Sequence, residues 1–127
     1  MRFNELGLSP GVMKAVTEMG FTELTPIQEQ TFALIREGRD LIALAETGSG
    51  KTSACGIPLA EKVDLQVSGI QALILVPTRE LALQYVDELD CIGRQSGIAP
   101  FAIYGGFSMG IQKAKLESGV HILVATP

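Results

Sequence analysis

The spacing of apolar and polar positions predicts a helix-rich start followed by an alternation of strands and helices. Ser9-Pro10 reads as a helix cap plus first helical residue, opening a helix through Met19 that Gly20 stops. Thr25-Pro26 repeats the device for a second helix, which closes at Gly38 after Arg36 and Glu37. Residues 41–45 then form an apolar run too short for a helix, read as a strand, with a glycine turn behind it. A third helix is expected from about Gly50 to Val63. The unit recurs: a β-type run over 72–76 ends at Pro77, and Thr78 caps a helix extending towards Arg94. Residues 101–104 run into Gly105-Gly106, Ser108 starts another helix ending at Gly119, and 120–125 is the fourth apolar run.

Strands apolar throughout, separated by helices, predict a mainly parallel α/β sheet with helices on both faces. Each strand then delivers its C-terminal loop to the same sheet edge, where folds of this kind bind ligands. The unusual loops fall there: 46–50, Pro77-Thr78, 105–107 and Thr126-Pro127. Composition narrows the classes. With 46% hydrophobic and 19% charged residues, 127 residues suffice for one domain with a packed core. A net charge of -4 argues against a basic nucleic-acid-coating protein, though not against a local groove. Glycines, prolines or charges interrupt every apolar run, so no membrane span is expected, and the N-terminus lacks a signal-peptide layout. Cys55 and Cys91 match no metal or redox spacing and read as small buried thiols in a reducing cytosol. His121 opens a strand and reads as structural.

Chemistry concentrates in Ala45-Glu46-Thr47-Gly48-Ser49-Gly50-Lys51-Thr52. This is the phosphate-loop pattern with Ala45 in place of the first glycine. The glycines let backbone N–H groups curl round a phosphate at the positive end of the following helix. Lys51 would reach the β- and γ-phosphates, and the Thr52 hydroxyl would bind Mg²⁺; these are the expected catalytic and metal positions on the chain. An ordinary strand-to-helix turn is the bland alternative, and the coincidence of strand, loop and helix argues against it.

Three stretches together, the phosphate loop, Pro77-Thr78-Arg79-Glu80-Leu81-Ala82, and Gly20-Phe21 with Pro26-Ile27-Gln28, resemble the DEAD-box ATP-dependent RNA helicases. Phe3, 17 residues before Gly20, matches the isolated upstream aromatic of that family. The resemblance covers essentially the whole chain. It implies a RecA-like domain, of which this is an N-terminal part, with residues 1–38 as the adenine-recognising region and 39–127 as phosphate-loop β/α units. Gln28 carries a donor and an acceptor on one amide, which suits the N6/N7 edge of adenine. By resemblance Gln28 makes that contact, Phe21 stacks on the base, and Thr25 contributes through its backbone; in isolation they would read as a solvated and a core side chain. Pro77, Thr78, Arg79, Gly105, Gly106, Thr126 and Pro127 are implied to grip the RNA sugar-phosphate backbone without reading sequence. The expected ligands are therefore ATP, Mg²⁺ and RNA.

Departures from the family pattern shape the remaining expectations. Glu46 stands where glutamine is usual; a carboxylate aimed at the phosphates would repel them, and a solvent-facing one would not. Thr126-Pro127 lacks the usual Gly-Arg continuation. No Asp-Glu-Ala-Asp stretch occurs in the chain, and Asp87-Glu88, amid Leu81, Tyr85 and Leu89 at helical spacing, reads as a solvated face. The parent is expected to be a cytoplasmic ATP-dependent RNA helicase, and these 127 residues to bind without hydrolysing ATP. Exposed strand edges make self-association a further expectation. A short non-catalytic nucleotide- or RNA-binding module and a helicase acting on DNA are the alternatives.

Overall fold

The computed structural model describes residues 1–46, 48, 50–106 and 108–127. Thr47, Ser49 and Phe107 lie outside the described residues. Among the described residues five α-helices and three strands follow one another: α1 (Pro10–Glu18), α2 (Pro26–Arg36), α3 (Lys51–Lys62), β1 (Ala72–Leu75), α4 (Arg79–Gly93), β2 (Pro100–Ile103), α5 (Met109–Glu117) and β3 (Ile122–Ala125). Local chemistry sets most of these ends. The Thr25 hydroxyl accepts from the Gln28 N–H and the Gln28 side chain returns to the Thr25 N–H, a capping box closed by Pro26 at the first helical position. At α4 and α5 the Thr78 and Ser108 hydroxyls accept the Leu81 and Ile111 N–H groups, without the reciprocal bond. Ser9 departs from this. It sits at the cap of α1, but its hydroxyl donates to Glu61 Oε1 at 3.0 Å, tying α1 to α3.

The sheet is parallel, in the order β1-β3-β2. Ala72, Ile122 and Pro100 stand level, as do Ile74, Val124 and Ala102 one pleat further on. That face, with Ile122, Val124 and Ala102 buried, meets α4, and the core continues through Leu89 and Ile92 into α3 and α1. Gly56 permits the close approach of α3 to α4. A Cβ there would lie 3.1 Å from Ile92 Cδ1 and from Leu89 Cδ2. The opposite face is half covered: Phe101, Leu123 and Ile103 are partly buried, whereas Leu73 and Leu75 are exposed.

Residues 41–45 do not form the expected strand. A strand exists only through a hydrogen-bonded neighbour, and no described strand lies beside this segment, so Ile42 and Leu44 are 95% and 93% exposed. Cys91 is exposed rather than buried. His121 is structural as expected, its Nδ1 accepting the Ala99 N–H at 2.9 Å.

Candidate functional site

A cavity of about 640 Å³ opens where α2, the turn before α3, and α4 converge. One end is lined by Phe21, Thr25 and Gln28, the other by Gly48, Gly50, Lys51 and Thr52. Residues from two distant stretches of sequence thus share one concavity. Gln28 joins its ends. Its Oε1 accepts the Thr25 N–H at 2.9 Å, and its Nε2 donates to the Gly50 carbonyl at 3.3 Å. The side chain is only 5% exposed, and an amide has four hydrogen-bonding valences. One lone pair and one N–H remain beyond these two contacts, so a bidentate adenine edge is compatible with the observed ties. Phe21 stacks on the buried Phe3 ring, centroids 5.8 Å apart and planes 23° from parallel.

At the phosphate end Gly50 caps α3 with φ 89°, a left-handed conformation that glycine adopts without strain. A Cβ at this position would sit 2.7 Å from Gln28 Nε2 and 3.0 Å from Thr25 Oγ1. Lys51 is the first residue of α3 and is exposed, with Thr52 partly buried beside it. Helix α3 has twelve residues and its cap residue, Gly50, has no side chain to bond the first N–H groups, a helix end of the kind that meets anions. Ala45 is partly buried and Glu46 exposed. Thr47 and Ser49, also expected at the phosphates, lie outside the described residues.

The far wall was not read from the sequence. Leu81, Gln84, Tyr85 and Glu88 face the cavity from α4, and Ser53 from α3. Their numbering, three and four apart, marks one helical face, a signal open to a sequence reading. Glu88 is partly buried and so corrects the solvated-face expectation for the Asp87-Glu88 pair; only Asp87 is exposed. Packing of α3 on α4 brings the Ser53 hydroxyl within 2.6 Å of Glu88 Oε1, and the hydroxyl donates. Burial pushes the Cys55 thiol up to about 11; its own backbone hydrogen bond opposes this, and the Glu88 charge adds to it. Tyr85 is raised first by burial and then by Cys55, with the Thr52 hydroxyl opposing and Glu88 adding.

A second group of expected residues gathers at the C-terminal edge of the sheet. The register puts Leu75, Ala125 and Ile103 level, so the segments that follow emerge side by side. The Val76 N–H donates to the Ala125 carbonyl at 3.0 Å, and the Thr126 N–H to the Ile103 carbonyl at 3.1 Å. Pro77, Thr78, Arg79, Gly105, Gly106 and Pro127 are exposed on this edge, and Thr126 is partly buried. The Arg79 guanidinium lies 5.9 Å from the Tyr104 ring centroid and 3.8 Å from Glu80 Oε1. Among the described residues no cluster of three His, Cys, Asp or Glu side chains could hold a metal, and no helix is long and apolar enough to cross a membrane.

Comparison with known proteins agrees with this architecture. A DEAD box protein from the hyperthermophile Methanococcus jannaschii superposes with a TM-score of 0.93 at 40% identity, over all of this chain and 35% of that one. The fold is accordingly that of a truncated RecA-like domain. A DEAD-box ATP-dependent RNA helicase CshA from Streptococcus pneumoniae is 48% identical over the whole chain, which covers 24% of it. An ATP-dependent RNA helicase CshA from Limosilactobacillus reuteri is 46% identical, with 26% covered. The chain therefore spans about a quarter of the length of the curated relatives it matches. Residues 25–127 match the DEAD/DEAH box helicase family, which takes in both the phosphate turn and the sheet edge, and the chain belongs to that family.

Proposed function

We propose that this chain is the ATP- and RNA-backbone-binding part of an ATP-dependent RNA helicase. The observation that carries the reading is the single cavity joining Phe21, Thr25 and Gln28 to Gly48, Gly50, Lys51 and Thr52. Residues 1–38 supply the adenine end and 39–127 the phosphate units. Gln28 reads the adenine edge with its spare donor and acceptor, Phe21 offers the base a ring face, and Thr25 adds its backbone. Ala45, Glu46, Thr47, Gly48, Ser49 and Gly50 are the phosphate-binding positions, and Lys51 neutralises the phosphates. The bare Cα of Gly50 lets Gln28 and Thr25 pack directly against the turn, which holds the adenine and phosphate ends in one cavity.

Mg²⁺ fits as an ion brought in with the nucleotide. Thr52 offers one hydroxyl, and an octahedral magnesium takes its other ligands from phosphates and water. Bound there, the ion would neutralise phosphate charge. The chain contains no Asp-Glu-Ala-Asp stretch, so these 127 residues bind nucleotide without supplying the carboxylates that position an attacking water. RNA lies along Pro77, Thr78, Arg79, Gly105, Gly106, Thr126 and Pro127, where one cation, two hydroxyls and one turn of two glycines suit a sugar-phosphate backbone. A cytoplasmic location goes with this function and with two unpaired thiols. The self-association expected from the sequence has no support in the fold or the relatives and forms no part of the proposal.

Titration with ATP tests the reading. Lys51→Ala removes a charge-assisted contact of about 1.5–3 kcal/mol and weakens ATP binding at least about tenfold while leaving the thermal transition in place. Gln28→Ala narrows the preference for ATP over GTP. Equal ATP affinity of Lys51→Ala and the parent would sink the phosphate assignment, and a parent that binds GTP as tightly as ATP would sink the adenine one.

A further inference from the structure

Arg79 and Tyr104 come from different β/α units, yet the Arg79 guanidinium carbon lies over the Tyr104 ring, 5.9 Å from its centroid. Tyr104 follows directly on β2 and is partly buried. Its backbone N–H donates to Gln112 Oε1 at 3.1 Å, and Gln112 is 2% exposed. The ring is therefore carried on a backbone pinned from inside the fold. Among the described residues the Arg79 guanidinium has no buried hydrogen-bond partner. Arg79 is the first residue of α4, where the positive end of the helix dipole opposes a cation. Its ion pair with Glu80 is 3.8 Å long with both side chains more than half exposed, a geometry that stabilises little. An arginine in this position would sample many rotamers, and the face of an aromatic ring is the attraction left to restrict it.

We propose that Tyr104 is a positioning residue for RNA binding, an aromatic platform that holds the Arg79 guanidinium ready for a backbone phosphate. The proposal rests on the reading above, in which Arg79 grips RNA. Tyr104 is outside the set of RNA-contacting residues named there and acts through Arg79. Because its ring needs only a π-face, phenylalanine replaces it and leucine does not.

The test is binding of fluorescein-labelled single-stranded oligo(U) to the protein, followed by anisotropy over a salt series. Arg79→Ala weakens binding and lowers the salt slope by about one. Tyr104→Leu weakens it about two- to fivefold, Tyr104→Phe less than about twofold. In the Arg79→Ala background Tyr104→Leu has no further effect, because the group it positions is gone. An undiminished loss in that background, or loss with Tyr104→Phe equal to that with Tyr104→Leu, overturns the platform while leaving Arg79 as an RNA contact. Unchanged binding by Arg79→Ala, or no binding by the parent, overturns the RNA surface and the platform together.

Discussion

Replacing Gly50 with alanine probes the junction on which the candidate nucleotide site depends. Two costs arise. The backbone at Gly50 is left-handed, with φ 89°, and a side chain there costs roughly 1–2 kcal/mol. The new methyl would also stand 2.7 Å from Gln28 Nε2, so the amide must move and its bond to the Gly50 carbonyl is lost, for about 0.5–1.5 kcal/mol more. The sum is about 1.5–3.5 kcal/mol. In a chain of this size each kcal/mol lowers the melting temperature by about 4 °C, which gives a shift of roughly 6–14 °C. Gly48→Ala is the internal control. Its φ is 80°, but nothing lies within 4 Å of the added carbon, so only the backbone cost applies. Thermal unfolding followed by circular dichroism should rank parent, Gly48→Ala and Gly50→Ala in that order. In the Gly50→Ala background Gln28→Ala should cost less than it does in the parent. If the two glycine variants melt together, Gln28 does not tie the base end of the cavity to the phosphate turn.

Two further outcomes follow from the wall formed by α3 and α4. Ser53→Ala removes a buried donor to a carboxylate at 2.6 Å and should destabilise by about 1–2 kcal/mol in urea, since the partly exposed Glu88 can still turn to water; a loss under about 0.5 kcal/mol would show the contact to be incidental. Burial holds the Cys55 thiol protonated up to about pH 11, so Ellman's reagent at pH 8 should modify exposed Cys91 quickly and Cys55 slowly. A raised thiol value favours the neutral form in the folded chain, so its stabilising contribution is complete below about pH 9 and disappears through pH 11. The loss is at most about 2–3 kcal/mol, and equal labelling rates or flat stability across that window would contradict it.

How much of this was open to a sequence reading depended on whether the signal was local. The capping box of Thr25 and Gln28 and the glycine before Lys51 act within a few residues, and both elements start where the sequence says. The strands at 72–75, 100–103 and 122–125 were legible because they are apolar throughout and bounded by glycine, proline or a cap. Residues 41–45 carry the same pattern, but pairing is a property of two segments and the apolar run describes only one. The α4 wall was missed for a related reason. Leu81, Gln84, Tyr85 and Glu88 show a helical stripe, which says that a face is covered and not by what; only the close approach at Gly56 brings that face to Ser53 and Thr52. Arg79 and Tyr104 meet through the β1-β3-β2 order, which no local pattern announces.

Helix α4 gives the two candidate surfaces a shared part. Its fifteen residues span about 22 Å. Thr78 and Arg79 at its start stand on the sheet edge, whereas Leu81, Gln84, Tyr85 and Glu88 along one face line the candidate nucleotide cavity. The interval between the two roles is less than one turn, from Arg79 to Leu81, so displacement of one cannot be absorbed by bending before it reaches the other. The helix is also fixed further along the same face, where Leu89 and Ile92 are buried against α3, the helix that starts at Lys51. Phosphate turn, cavity wall and sheet edge thus hang on two helices locked by one tight contact. Within such a frame a ligand that shifts α3 against α4 moves Arg79, and a backbone held by Arg79 resists that shift. The arrangement therefore supplies a physical route by which the two candidate surfaces, if they bind nucleotide and RNA as proposed, would sense each other without direct contact.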